Sequence, residues 1–198
     1  MRLRQWVVSI IFFAVSVGFL LFSKAFFSPR GNEHIDALSE LPATECRVRL
    51  LPNQDYYPVL KSYFQKAQTT ISGTVYLVKT ADYPNNEPAD LLRELAAASK
   101  RNVHVDLVLE QGDSKDGTES NESAAQILQN AGVNVRFDPS DIATHAKTFV
   151  VDGRYTFIGS HNLTHAAMSR NEELSVFIDS PEIAQKVTKF IQEIPSQK

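Results

Sequence analysis

The sequence has one cysteine and no excess of basic residues. Cys46 stands alone among 198 residues, so the chain can form no intramolecular disulfide and has no cysteine-based metal site. We expect it to be a small apolar residue at the start of a buried strand. Against 23 acidic residues stand 20 lysines and arginines, which gives a formal net charge of -3. Dedicated nucleic-acid-binding proteins usually carry a basic excess, so the overall charge argues mildly against that class, although a local cluster of cations remains compatible with it.

The chain also lacks internal repeats and the carboxylate cluster with which two-metal nucleases hold their ions. Its 5 histidines show no metal-ligand spacing. We therefore expect neither a metal ion nor another cofactor. A hydrophobic content of 43% and a charged content of 22% are ordinary for a globular protein. The length allows one compact domain of roughly 150 residues.

The first informative segment is apolar. Arg2 and Arg4 precede a run at residues 6–22 that is interrupted only by two serines and a glycine. A run of about 17 residues lies between a signal-peptide core and a membrane-spanning helix, and the Ser-Lys-Ala that follows offers the small residues that a signal peptidase reads. We predict that residues 1–27 form a signal peptide or an N-terminal transmembrane anchor, with a buried core helix as a third alternative.

The same segment predicts where the domain is located. A basic start before an apolar run leaves the N-terminus in the cytoplasm and carries the rest of the chain across the membrane. The domain is thus expected on the extracytoplasmic side, in the periplasm, anchored in the membrane through residues 6–22, or secreted if the segment is cleaved. Residues 28–45 contain Pro29, Gly31 and Pro42 without a sustained periodicity and are predicted to form a linker.

Residues 46–198 are predicted to form one α/β domain, in which β-rich runs alternate with helical patterns. Strands are predicted at residues 46–51, 70–78, 103–109, 133–137, 148–151, 155–158 and 173–178, and helices at 56–67, 88–100, 122–131 and 181–194. Strands separated by helices of about ten or more residues indicate βαβ units, so we predict a mixed, largely parallel sheet sandwiched between helices. The polar stretch at 111–120 leaves the carboxyl end of a strand and is expected either to border the site or to be a solvated connection.

The segment that carries chemistry runs from His145 to Asn162. Residues two apart in a strand project to the same face, so His145 and Lys147 project together, as do Ser160 and Asn162. An Asp-Gly pair between the two runs is a strong hairpin signal, and pairing the two strands brings both sets together. The expected pocket therefore holds an imidazole, an ammonium, a hydroxyl and a carboxamide.

These groups suit a phosphodiester. Lys147 and Asn162 can donate hydrogen bonds to the non-bridging oxygens and stabilise the charge that develops in the transition state. Histidine titrates near neutrality and can attack phosphorus or transfer protons. Asp152 has the wrong parity to point into the pocket, so we interpret it as structural, holding the hairpin through side-chain to backbone hydrogen bonds. Either Glu172 or Glu173 could orient the histidine.

Other polar residues of this region are assigned minor roles. His161 and His165 are expected to be incidental, since His161 has the opposite parity to the pocket residues. Arg136, Arg154 and Arg170 could contact phosphate, although surface solvation is the expected role of each one taken alone.

The run from His145 to Asn162 resembles the HKD signature of the phospholipase D superfamily, His-x-Lys-x4-Asp-x6-Gly-Ser-x-Asn, with every specified position filled. The resemblance extends through Asn171 and Glu173 and covers residues 46–194. It implies the phospholipase D-like α/β/α fold and a metal-independent mechanism in which His145 is the nucleophile and forms a phosphohistidine.

The resemblance also implies roles for the remaining residues of the motif. Lys147 and Asn162 would bind the phosphate oxygens, and Ser160 would support the phosphate site. Glu173 would orient and polarise His145.

Enzymes of this superfamily use two such motifs, in which one histidine attacks and the other protonates the leaving group. This chain has one motif, because neither His34 nor His104 is followed by a lysine two positions later. The resemblance therefore implies a homodimer that brings two copies of His145 to a shared active site.

The resemblance leaves the substrate open among three alternatives. Short single-motif chains with an N-terminal membrane segment are most similar to the bacterial Nuc-type endonucleases, which implies an endonuclease on DNA or RNA that prefers single strands. A phospholipase D that hydrolyses phospholipid head groups is the second alternative, and a non-catalytic membrane-tethered scaffold is the third. A basic groove would favour the nuclease, and an apolar rim around His145 would favour the phospholipase.

Overall fold

The computed structural model describes residues 46–80, 86–111 and 114–196. The signal or anchor segment predicted at 1–27 and the linker predicted at 28–45 lie outside these ranges. Within them, no helix combines the length and the apolar character that crossing a bilayer requires. The structure therefore concerns the domain that was predicted to start at residue 46.

The described part of the chain alternates strands with helices. The strands are β1 (Arg47–Pro52), β2 (Thr70–Val75), β3 (Val78–Lys79), β4 (His104–Leu109), β5 (Asn134–Phe137), β6 (Lys147–Val151), β7 (Tyr155–Gly159), β8 (Leu163–Thr164) and β9 (Leu174–Asp179). The helices are α1 (Tyr56–Lys66), α2 (Glu87–Lys100), α3 (Lys115–Asn130), α4 (His165–Ser169) and α5 (Pro181–Glu193), with a 3-10 turn at Asn53–Asp55.

Two of the predicted elements differ from the structure, while the bounds of the other predicted elements agree within 1 residue, and β8 and α4 were not predicted. Helix α3 begins at residue 115 instead of 122, because the Ser114 hydroxyl caps it by accepting from the Gly117 N–H at 3.1 Å. The strand predicted at 70–78 ends at residue 75, and residues 78–79 form the separate strand β3. Cys46 is exposed and not buried, because it precedes an edge strand whose first residues are themselves exposed.

The main sheet has the strand order β1-β9-β7-β6-β2-β4-β5. The pairs β2–β4 and β4–β5 are parallel, and the other four neighbouring pairs are antiparallel. The predicted mixed sheet is thus confirmed, but the expectation that it is largely parallel is corrected. Helices α2 and α3 act as crossovers that return the chain in the same direction, whereas the tight β6–β7 hairpin reverses it and the later strands continue antiparallel. Strands β3 and β8 form a small parallel sheet of their own.

Helices cover both faces of the main sheet. On one face, α1, α2 and α3 contribute to the larger core, where the Phe64 and Phe149 rings meet edge to face at 5.1 Å. On the other face, Ala184 and Ile191 of α5 pack with Val150. Phe149 and Val150 are adjacent and point to opposite faces, as strand geometry requires. The result is the expected sandwich of helix, sheet and helix.

Candidate active site

All residues of the motif except Asp152 lie at one end of the main sheet. Lys147 opens β6, Ser160 follows β7 and Glu173 precedes β9. The antiparallel register sets Lys147 opposite Gly159, and Gly159 opposite Ser175. Strands β2 and β4 end at the same side of the sheet as β6 begins. This is the end at which open α/β sheets bind ligands.

The ammonium of Lys147 is held against His145. Its Nζ donates to the His145 carbonyl oxygen at 2.7 Å and lies 3.0 Å from Nδ1 of the same residue. An ammonium can only donate, so Nδ1 is the acceptor and the proton of the neutral imidazole is assigned to Nε2. Lys147 is 6% exposed, whereas His145 is exposed. A solvent-accessible imidazole thus lies next to a buried cation.

The electrostatic state of Lys147 follows from this burial. Removal from water lowers the pKa of Lys147 below its ordinary value, and the nearby Glu173 carboxylate opposes the shift. A poorly hydrated cation attracts an anion more strongly than a fully hydrated one, because the effective dielectric around it is lower. Lys147 is therefore suited to stabilising negative charge that builds on phosphate oxygens.

The carboxamide of Asn162 has a defined orientation. Its Oδ1 accepts a hydrogen bond from the Leu77 N–H at 3.2 Å, and the Leu77 carbonyl accepts from Leu163 N–H at 3.0 Å. Since the carboxamide oxygen is occupied by the loop after β2, the Nδ2 donor is the end that remains to bind a ligand. A phosphate oxygen accepts hydrogen bonds, so contact with it requires such a donor.

Glu173 holds Ser160 and not His145. The Ser160 hydroxyl donates to Oε2 of Glu173, and Asn171 Nδ2 donates to Oε1 at 3.0 Å. Among the described residues no hydrogen bond joins Glu173 to His145, which is the contact that the family resemblance implies. Glu172, the other carboxylate considered, accepts from an asparagine of the 3-10 turn at 3.1 Å. Glu173 therefore orients the Ser160 hydroxyl and adds negative charge near the pocket.

Steric and packing constraints explain the residues that separate the polar groups of the motif. A Cβ on Gly159 would lie 2.4 Å from the Cα of Ser175, so glycine is needed for β7 and β9 to approach. His161 is 1% exposed and bonds the Ser175 hydroxyl at 2.7 Å and the Asn53 carbonyl at 2.9 Å, while its ring stacks on Tyr56 at 4.3 Å. It points into the core, as its parity indicates.

Asp152 lies at the opposite end of β6 from Lys147. With five residues at about 3.4 Å each, roughly 17 Å of strand separates the two. The Asp152 carboxylate accepts the backbone N–H groups of Gln68, Thr69 and Thr70 at 3.0, 2.8 and 3.2 Å. It ties the β6–β7 turn to the start of β2 and touches nothing in the pocket, which agrees with the structural interpretation.

The other polar residues considered from the sequence are used elsewhere. Arg136 donates to backbone carbonyls at the end of α5, and Arg154 pairs with Asp179 at 2.6 Å at the far end of β7. His165 bonds a glutamate of α2 at 2.7 Å. Arg170 is exposed in the loop after α4. The described residues contain no group of three or more histidine, cysteine, aspartate or glutamate side chains able to hold a metal ion.

Two residues of the site were not identified from the sequence. The Tyr76 ring lies 4.5 Å from the His145 ring, and the Lys147 ammonium is 4.7 Å from its centroid. Asn121 is 0% exposed on α3 and donates to the carbonyl oxygens of Tyr76 and Glu110 at 2.9 and 2.8 Å. An aromatic residue at the carboxyl end of a strand was a usable signal for Tyr76, whereas a polar residue within a helical pattern gives none for Asn121.

Comparison with known proteins identifies the family. The family model described as cardiolipin synthase, PLD-like domain, matches residues 60–194, so the chain belongs to the phospholipase D-like family. The chain thus has the fold of the phospholipase D superfamily, a class of phosphodiester hydrolases and transferases. A search of curated proteins found no match.

The solved structures that share this fold include two Nuc proteins and a phosphatidylserine synthase. Nuc, a phospholipase D family member from Salmonella typhimurium, is 24% identical, with 77% of this chain and 97% of that chain covered and a TM-score of 0.65. NucT from Helicobacter pylori is 16% identical, with coverages of 76% and 96% and a TM-score of 0.59. Phosphatidylserine synthase from Haemophilus influenzae is 16% identical, with coverages of 78% and 40% and a TM-score of 0.58. At these identities the similarity shows the fold.

Proposed function

We propose that this chain is a metal-independent phosphodiester hydrolase that acts through a phosphohistidine intermediate. The observation that carries the proposal is the solvent-accessible imidazole of His145 with the buried Lys147 ammonium 3.0 Å from its Nδ1. Asn162 supplies a second donor through Nδ2. A nucleophile flanked by two donors is the arrangement that phosphoryl transfer needs.

The reaction has two steps. A ring nitrogen of His145 bonds to phosphorus while the bond from phosphorus to the leaving oxygen breaks, and that oxygen takes a proton. Water then attacks phosphorus, the phosphorus–nitrogen bond breaks, and the proton of the water returns to a base. Turning the Lys147 ammonium from Nδ1 to a bound phosphate frees Nδ1 to carry the ring proton, so that Nε2 can attack. Lys147 and Asn162 stabilise the equatorial oxygens in both steps.

The proposed substrate is a DNA or RNA strand, preferably single-stranded, that is cut internally. Two findings support it. The chain covers 97% and 96% of Nuc and NucT, so its size and fold match theirs nearly end to end. The single motif also resembles that of the Nuc-type endonucleases.

A phospholipid is the second candidate substrate, and a specific observation favours it. Ile142, three residues before His145, is 59% exposed, and Leu174, next to Glu173, is 54% exposed. Exposed aliphatic side chains that flank a phosphate site could contact acyl chains. The two substrates therefore have to be compared on the same preparation.

The test uses the full chain in detergent solution with excess EDTA on labelled single-stranded DNA and on phosphatidylcholine in mixed micelles. We expect DNA cleavage by the native chain and none by His145→Ala. Choline release without DNA cleavage would replace the nuclease by a phospholipase D. Activity that persists in His145→Ala would refute the mechanism, and no turnover of either substrate with an intact fold would favour the membrane-tethered scaffold.

We further propose that the enzyme is a homodimer with a shared active site. Protonation of the leaving oxygen needs a second acid, and His161 and His165 are engaged away from the pocket. A second copy would supply its own His145 for this step. The surface that joins the copies should therefore lie beside the pocket.

An uncovered apolar surface on β1, β9 and β7 supports this proposal. The register aligns Leu50 with Val176 and Val176 with Ile158, so the three side chains share one face of the sheet. It is the face that α5 covers at Val150, but α5 leaves Leu50 61% and Ile158 38% exposed. Ile158 immediately precedes Gly159, so this surface extends to the end of the sheet at which the pocket lies. We propose that a second copy buries it.

Sedimentation and activity of Leu50→Glu test this surface. A charge in the buried interface should give a monomer and abolish turnover. Ile127→Glu is the matched control, because Ile127 is 50% exposed on α3, away from this surface, and should leave both properties unchanged. A native chain that is active as a monomer would overturn the shared site, and a Leu50→Glu variant that still dimerises would overturn the choice of surface.

We also propose that residues 1–27 place the domain on the extracytoplasmic side of a membrane. The support is the basic start and the apolar run at 6–22. The N-terminal sequence of the mature protein tests it, since a retained Met1 in the membrane fraction would indicate an anchor and a start near residue 26 in the soluble fraction would indicate cleavage. A full-length chain found in the cytoplasm would contradict both.

A further inference from the structure

Tyr76 contacts both reactive side chains of the pocket, although it lies outside the sequence motif. Its ring lies 4.5 Å from the His145 ring at an interplanar angle of 54°. The Lys147 Nζ lies over the same ring, 4.7 Å from the centroid. This distance is within the range at which an aromatic face attracts a cation. One side chain therefore touches both the nucleophile and the cation next to it.

The backbone around Tyr76 is held from two directions. Asn121 on α3 donates to the Tyr76 carbonyl at 2.9 Å and accepts from the Val78 N–H at 2.7 Å. On the following residue, the Leu77 N–H donates to Oδ1 of Asn162 at 3.2 Å. Asn121 is fully buried, so these bonds do not exchange readily with water. The position of the Tyr76 ring is thus fixed by the same loop that orients Asn162.

The Tyr76 ring restricts a movement that the hydrogen bonds of Lys147 leave possible. Both of these acceptors belong to His145, which lies two residues before Lys147, in the loop that leads into β6. They limit the distance between Lys147 and His145 but leave the pair able to swing together into the exposed pocket. A ring against both groups blocks that movement, and its π face partly replaces the water that burial has removed from the ammonium.

The groups that face Lys147 come from three elements. His145 precedes it on the chain, Tyr76 follows β2, and Glu173 at the start of β9 acts through its charge. Burial lowers the pKa of Lys147, and Glu173 opposes this shift. Replacing the Tyr76 ring by another uncharged side chain changes its contact with the ammonium without altering the net charge of the pocket.

We propose that Tyr76 is a positioning residue of this site, whose ring keeps the Lys147 ammonium and the His145 imidazole side by side in the pocket. The link to catalysis rests on the proposed phosphodiesterase function, but the contact with Lys147 does not. Both contacts, with His145 and with Lys147, are made by the ring. Phenylalanine should therefore replace tyrosine, and leucine should not.

The experiment compares Tyr76→Phe and Tyr76→Leu in the full chain by two measurements. In the first, kcat is followed against pH on the cleaved substrate. We expect Tyr76→Leu to lower kcat about tenfold, the size of one desolvated cation–π contact, and to move the alkaline limb of the profile to lower pH by about one unit. Tyr76→Phe should stay within about twofold of the native chain with the alkaline limb unmoved.

The second measurement is the pKa of Lys147 by NMR of labelled lysine side chains, with the signal assigned by its loss in Lys147→Met. It does not depend on the substrate. A lower pKa in Tyr76→Leu alone supports the contact even if neither substrate is turned over, in which case the proposed function fails and the positioning contact stands. An unchanged or higher pKa in Tyr76→Leu, or equal effects of leucine and phenylalanine, would overturn the proposal.

Tyr155→Leu is the matched control. Tyr155 is also half-buried and carries a cation, the Arg154 guanidinium, 5.3 Å from its ring centroid, but it lies at the far end of β7 from the pocket. Its leucine variant loses a comparable ring and cation contact. It should leave the pH profile and the Lys147 pKa unchanged, which separates a local effect from general loosening of the sheet.

Discussion

The motif aspartate should contribute to stability and not to catalysis. Asp152 accepts four groups of residues 68–70, three backbone N–H groups and the Thr69 hydroxyl, at 2.8 to 3.2 Å. Hydrogen bonds to a charged group contribute about 1.5 to 3 kcal/mol each, but water reaches these exposed donors, so we expect a total of about 2 to 3 kcal/mol. Asp152 also has a φ of 52°, a conformation that costs alanine about 1 kcal/mol more than aspartate or asparagine. Asp152→Ala should therefore lower the free energy of unfolding by about 3 to 4 kcal/mol, and Asp152→Asn by about 1 to 2 kcal/mol.

Urea unfolding of the native chain and both variants measures these losses, and kcat of the folded fraction measures catalysis. The kcat of the folded fraction should be unchanged in Asp152→Asn, because roughly 17 Å of strand separates Asp152 from Lys147. Burial acts to raise the pKa of Asp152, but hydrogen bonds from residues 68–70 outweigh it and hold that pKa below its ordinary value. The stabilisation is therefore complete above the unfolded-state pKa and is lost as the pH falls through the folded-state pKa, a slope that Asp152→Asn should remove. A variant with native stability and a reduced kcat would refute this reasoning.

The remaining predictions concern the strand that follows the turn. Gly159→Ala should destabilise the fold by about 3 kcal/mol, and Ser175→Gly should not rescue it, because the new Cβ would still meet the residue 175 Cα at 2.4 Å; urea unfolding of the single and double variants checks both. Burial lowers the pKa of His161, and the Asn53 carbonyl and Glu173 oppose this shift. At a pH below the ordinary pKa of histidine, the unfolded state therefore binds a proton more readily than the folded state. The free energy of unfolding should thus decrease as the pH falls below about 6.5, less steeply in His161→Gln, and a pH series of urea titrations would contradict this if the two slopes were equal.

Much of the fold was predictable because local patterns report local structure. Alternation and apolar stripes placed most strands and helices within 1 residue of their bounds. The start of α3 was missed because Ser114 and Gly117 lie in a polar stretch that is typical of a loop, and only the hydrogen bond between them shows the cap. The direction of the strands was misjudged because pairing across the sheet depends on which strand lies beside which, and periodicity within a strand does not contain that information.

The candidate site, like the fold, could be predicted from the sequence only in part. Parity within two predicted strands assigned Lys147 and Asn162 to one pocket, which stays a prediction, and set His161 apart from them, which agrees with the burial of His161. It could not show that Glu173 bonds Ser160 and Asn171, because these two side chains come from separate loops whose positions depend on the folded sheet. The resemblance to a family implied a different partner, His145, for this carboxylate.

The motif combines two kinds of constraint, and this explains why its spacing is rigid although its residues act separately. Lys147 acts on the substrate, whereas Gly159 and Asp152 act on the position of the strands that carry it. Gly159 permits the close approach of β7 to β9, and Asp152 secures the far end of β6 to the start of β2. A slip of one residue in either pairing would turn Lys147 to the opposite face of the sheet. Residues that never touch the substrate therefore have to be as strictly spaced as those that do, because they determine the face on which the reactive groups appear.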